Sequence, residues 1–181
     1  LLDTDEYARN WGRFWRDVML YNSTAGPKKV DRGALEGWLT DQFKKDRGWD
    51  AIAAELVMAD GKKMEERRDN FLIAQDGSST RMAAETTRVF MGINVQCAEC
   101  HDHPFDQWKR EQFHQMAAFF AQDKYFMPDA HDPAKKTEMK PKFLLGQTPK
   151  STLKGDDKRI AVAAYLIYDP KNYWFARSYV N

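Results

Sequence analysis

Residues 82–101 read Met-Ala-Ala-Glu-Thr-Thr-Arg-Val-Phe-Met-Gly-Ile-Asn-Val-Gln-Cys-Ala-Glu-Cys-His. Met82 to Met91 has helical spacing and stops at Gly92, a residue suited to the left-handed turn that ends a helix. Cys97-Ala98-Glu99-Cys100-His101 follows at once. Two cysteines three apart on a helical turn point the same way, so both sulfurs can reach one porphyrin edge. His101, the next residue, then lies where a proximal nitrogen is needed under iron. The spacing therefore implies one haem c, bonded to Cys97 and Cys100 and ligated through His101.

Other chemistries use the same residue types. The two cysteines are the only ones in the chain, so a disulfide framework is excluded beyond one local bridge, which would leave His101 unexplained. Cys97, Cys100 and His103 with a fourth residue such as His114 would make a zinc set. A redox dithiol fits less well, because no βαβ pattern surrounds the pair. His103 is two residues from His101 and cannot cross the porphyrin plane to the same iron. Its expected work is to bond a haem propionate or to fix the turn at Pro104. For the distal iron position the first candidate is Met127, in the Pro-containing loop Phe126-Met127-Pro128. His114 is second, and His131 and Met91 follow.

Outward from the motif the pattern is helical. Tyr7, Trp11, Phe14, Trp15, Val18 and Met19 fall at helical spacing behind capping candidates Asp3 to Asp5, and a turn spans Asn22 to Pro27. Ala34, Leu35, Trp38, Leu39 and Phe43 mark a second helix, and Trp49, Ile52, Ala53, Leu56 and Val57 a third. Gly61 to Asp69 reads as a charged connector and Gln75 to Thr80 as a loop. Arg110 to Gln122 forms a helix with Phe113, Met116, Ala117 and Phe120 on one face. Asp123 to Gly155 shows no period and reads as one long irregular loop. Its lysines, Lys135, Lys136, Lys140, Lys142, Lys150 and Lys154, suit either solvent or an acidic partner. Asp156-Asp157 then caps a helix carrying Ile160, Ala164, Tyr165 and Ile167. The expected class is all-α, an irregular helical domain wrapped around the motif. Residues 1–168 form the haem-attachment domain, and residues 169–181 begin a following domain or docking arm.

The chain has 28 Lys and Arg against 27 Asp and Glu. That balance argues against a nucleic-acid or polybasic membrane partner. No apolar run approaches the length of a membrane span, and no signal peptide is visible. The opening on Leu1 reads as a mature or internal fragment. Six Trp, seven Tyr and eleven Phe suit a core that covers a flat cofactor, or simply an aromatic helical core.

The stretch Val89 to Trp108, with Phe113 and Ala117-Ala118-Phe119-Phe120-Ala121, resembles the planctomycete cytochrome-associated domain family of unknown function. Tyr7, Trp11, Trp15, Asp17, Val18 and Tyr21 resemble its opening helix. Asp169-Pro170, Asn172, Tyr173, Phe175-Ala176-Arg177 and Val180-Asn181 resemble the start of its companion domain. The resemblance implies an extracytoplasmic place and a haem-linked role, with attachment at Cys97 and Cys100 and iron at His101. His114 and Met91 stand where that family has Tyr and Leu. Extracytoplasmic electron transfer within a larger protein or complex, with a redox partner protein, is the expected function. A peroxidase- or oxidase-type haem enzyme and a zinc-bound interaction module are the alternatives.

Overall fold

The computed structural model describes residues 4–23, 29–63, 65–132, 134–150 and 152–180. They fall into two compact units, Leu1–Gly77 and Ser78–Asn181. The expected turn at Asn22 to Pro27 lies largely outside the described residues, as does Asp3.

The first unit is helical: α1 (Asp5–Leu20), α2 (Arg32–Lys44), α3 (Trp49–Met58), a 3-10 turn (Arg67–Asp69) and α4 (Asn70–Ile73). Thr4 caps α1 through the amide of Tyr7, and Asp31 caps α2 through that of Ala34 at 2.8 Å. Each thereby satisfies an amide that the helix leaves without a partner. Helices α1 and α2 meet at Gly12, where a Cβ would lie 2.4 Å from Thr40 Oγ1 and 3.0 Å from the Thr40 amide. Leu35, Leu39, Ile52, Leu56, Phe71 and Leu72 are fully buried, which supplies the main stabilisation of the unit. The connector Gly61 to Asp69 is more than a solvated stretch, because its end is wound into the 3-10 turn and buried at Asp69.

The second unit contains α5 (Ser79–Met91), a 3-10 turn (Gln96–Glu99), α6 (Arg110–Ala117), strands β1 (Tyr125–Pro128) and β2 (Lys136–Met139), α7 (Asp157–Tyr168) and α8 (Tyr173–Val180). The strands pair antiparallel with Tyr125 opposite Met139 and Pro128 opposite Lys136. The all-α expectation is thereby corrected: part of the supposed irregular loop is a hairpin. Lys136, Thr137 and Glu138 are all exposed, so β2 carries no alternation for the eye to find. Helix α6 is shorter than expected and ends at Ala117. Helix α7 buries Val162, Ala163 and Leu166 and exposes Ile160, a different face from the expected one. Helix α8 lies on α5, with Ser178 Oγ donating to the Phe90 carbonyl at 2.9 Å.

The helices are not wrapped around the cysteine motif. Phe90, Phe113, Met116 and Phe119 fill the interior of the second unit with their own side chains, while Cys97 and Cys100 are exposed.

Asp69 gives a test of the first unit. Burial, and then a hydrogen bond with Asp60, push its carboxyl up to about 6. Between about pH 4 and that value the folded unit holds a proton the unfolded chain releases. Stability should therefore fall as pH rises through this window. Urea unfolding followed by tryptophan fluorescence should show the fall, and Asp69→Asn should flatten it.

Candidate functional site

Gly92 ends α5 with φ +66°, its amide returning to the Arg88 carbonyl at 3.1 Å. From there Ile93, Val95 and Ala98 point inward and are buried, and Ala98 donates its amide to the Val95 carbonyl at 2.9 Å. Ala98 is thus the anchor that turns its neighbours outward. In a 3-10 turn, residues three apart eclipse one another. Gln96–Glu99 forms that turn and Cys100 continues it with φ −101°, ψ −38°, so the turn places Cys97 and Cys100 on one face. Both thiols are free and exposed.

His101 is exposed, and its Nδ1 lies 2.7 Å from the Asp102 carbonyl oxygen. A carbonyl only accepts, so Nδ1 carries the proton. In the neutral ring Nε2 then keeps its lone pair, the form in which imidazole ligates a metal. The Asp102 carboxylate accepts from the Arg110 amide at 3.0 Å and pairs with Lys109 at 3.1 Å. These contacts hold its carboxyl below the ordinary value, the Arg110 amide contributing most. His103 accepts the Phe105 amide on Nδ1 at 3.3 Å and donates its own amide to the Trp108 carbonyl at 2.8 Å. It therefore fixes the turn at Pro104.

His114 is 2 % exposed. Its Nε2 donates to the Glu99 carbonyl at 3.0 Å, and its Nδ1 meets the Tyr125 hydroxyl at 2.7 Å. Both ring nitrogens are engaged, so His114 fastens the motif turn to α6 and β1 in this arrangement. Burial, the largest influence, lowers its pKa, and burial likewise pushes Tyr125 up to about 12. Arg110 completes the fastening through Nε to the Glu99 carbonyl at 3.3 Å and Nη2 to the Pro128 carbonyl at 2.6 Å.

Met127 lies on β1, not in a loop, and is half-buried like Tyr125, while Phe126 and Pro128 are exposed. Alternation along a strand puts Met127 on the same face as Tyr125. Met91 is buried at the end of α5, and His131 lies in the exposed turn between the strands. The described residues gather no set of three or more His, Cys, Asp or Glu side chains that could hold a metal ion. The zinc set of Cys97, Cys100, His103 and His114 is thus not assembled. The sequence offers Asp102, with Asp106, Glu111 and His114, as an acid–base residue for a haem enzyme; its carboxylate instead holds the Arg110 amide and Lys109, and the parts of Arg110 and Tyr125 in fastening the turn are not legible from spacing. Asp102 stands just after the motif, ahead of a helix rich in polar residues, and that position is the signal that could have exposed its capping role.

The thiols and the free Nε2 match the donor chemistry of covalent haem attachment. A family model described as "Protein of unknown function (DUF1549)", PSCyt2, matches residues 1–125. The chain belongs to that family. The match takes in all of the first unit and, in the second, the motif turn, α6 and Tyr125. No curated protein and no solved structure matches the chain. No helix among the described residues is long and apolar enough to cross a membrane.

His114 should make the second unit acid-sensitive. Its folded pKa is lowered, so the stability it contributes is present above about pH 6.5 and is lost as pH falls through the folded value. His114→Ala should cost about 2–4 kcal/mol, through the cavity and the loss of its bonds to the Glu99 carbonyl and the Tyr125 hydroxyl. Tyr125→Phe should cost about 1 kcal/mol. Thermal unfolding at two pH values checks both.

Proposed function

We propose that the chain carries one haem c on Cys97 and Cys100, with His101 Nε2 as iron ligand, and serves extracytoplasmic electron transfer within a larger protein or complex. The observation that carries this reading is the outward pair of free thiols beside a histidine whose tautomer leaves Nε2 open. When bound, haem supplies a one-electron couple whose potential is set by its ligands, hydrogen bonds and exposure.

The residues of this chain do the rest. Ala98 anchors the turn, and the Glu99 carbonyl, held by His114 and Arg110, keeps it from rotating. The Asp102 carbonyl orients the His101 ring and raises the basicity of Nε2. Met127, on the strand face shared with Tyr125, would be the further residue to hold the iron. Because haem is attached in this way outside the cytoplasm, the reading includes an exported location. It also includes a redox partner protein and the planctomycete cytochrome-associated setting that the resemblance implies.

Intact-mass measurement of the protein from an exporting, haem-maturing host tests the reading. The mass should exceed that of the polypeptide by one haem and should lose that increment in Cys97→Ser with Cys100→Ser. A bare polypeptide mass from such a host contradicts it, and a loss of two hydrogens alone would assign the pair to a disulfide. His103→Ala should leave haem attached and the spin state unchanged, because His103 works within its own turn. A change of spin state by electron paramagnetic resonance would contradict this assignment.

A further inference from the structure

In the second unit a groove of about 1230 Å³ runs between the end of the hairpin, residues 148–150 and 152–155, and the first turn of α7. Five lysines line it, Lys124, Lys140, Lys150, Lys154 and Lys158, against two acidic residues, Asp123 and Glu138. Lys124 and Glu138 neutralise each other at 2.8 Å. Lys158 is 6 % exposed and donates to the carbonyls of Ala121 at 2.8 Å and Asp123 at 2.7 Å. An ammonium has three donors, so one remains for an incoming acceptor. Lys140, Lys150 and Lys154 are exposed and have no ion-pair partner among the described residues.

We propose that this groove binds an extended acidic peptide segment of a partner protein. Its volume exceeds the roughly 300–1,000 Å³ of ordinary small-molecule pockets. The three unpaired lysines stand at separate positions along the chain, on either side of Pro141 and Pro149. Among the described residues the lining has no arginine, the residue that bidentate phosphate recognition favours. Lysines on flexible stems suit carboxylates spaced along a peptide. Tyr125, Met139, Pro141 and Leu153 give apolar contact to side chains between those carboxylates. Such charge complementarity speeds encounter and rejects cationic partners. The proposal rests on the groove alone and stands or falls independently of the haem reading.

The test is fluorescence anisotropy of the full chain with a short labelled peptide of alternating glutamate and leucine. Binding should saturate, weaken as salt is raised and be absent for the lysine–leucine counterpart. Joint substitution K140E, K150E and K154E should weaken it by about tenfold, three rim charges of modest individual worth, with the unfolding midpoint unchanged. Lys158→Met should weaken it further by removing the buried donor. Unsaturable binding, or equal affinity in the triple variant, would overturn the proposal. So would heparin binding as tightly as the peptide, which would mark a general polyanion surface.

Discussion

The backbone carbonyl of Glu99 governs the surface chemistry of the second unit. It accepts from His114 Nε2 and from Arg110 Nε, so two side chains of α6 hold a single oxygen between the two cysteines. A 3-10 turn this short has poor hydrogen-bond geometry of its own, and its conformation must be imposed from outside. The same two side chains reach on to β1, His114 to the Tyr125 hydroxyl and Arg110 to the Pro128 carbonyl. Turn, helix and hairpin are thereby one polar construction, and most of its hydrogen bonds involve groups partly or fully removed from water. Fully satisfied networks of this kind are stiff, and a half-satisfied one is costly. The hairpin is consequently part of what holds the cysteines in place, although it follows them in the chain.

The apolar interior does different work. Ala98, buried beneath the turn, sets which way its neighbours face, and the phenylalanines of α5, α6 and the following turn fill the space behind it. Phe90, Phe113 and Phe119 pack in this interior, whereas Phe105 and Phe126 are exposed. A prosthetic group attached at Cys97 and Cys100 would therefore sit outside this core.

Much of this was legible in the sequence because it depended on spacing. Two cysteines three apart with a histidine next define a face whether the turn is α or 3-10. Helices α1, α2 and α3 lie where the apolar periods put them, although Phe14 of α1 faces solvent, and Gly92 stops α5 as its position suggests. The hairpin was hidden because three of the four residues of β2 face solvent. The face of α7 was misjudged because the larger Ile160 is exposed while Val162 and Ala163 are buried. His114 shows the deeper limit. A histidine near a haem motif reads as a ligand, and only the fold reveals that Tyr125 and the Glu99 carbonyl occupy both of its nitrogens. Tyr125 is eleven residues away, a distance that helical or strand periodicity does not bridge.

A haem held by the outward thiols and His101 would carry its own optical signature. The most direct measurement is the visible absorption spectrum of the protein, oxidised and then reduced, after isolation from a host that exports it and attaches haem. An intense Soret band that sharpens on reduction is expected, with resolved visible bands that persist after denaturation because the group is covalently bound. A spectrum with only the aromatic absorption of tryptophan and tyrosine, from a host proven to mature other c-type cytochromes, would contradict it.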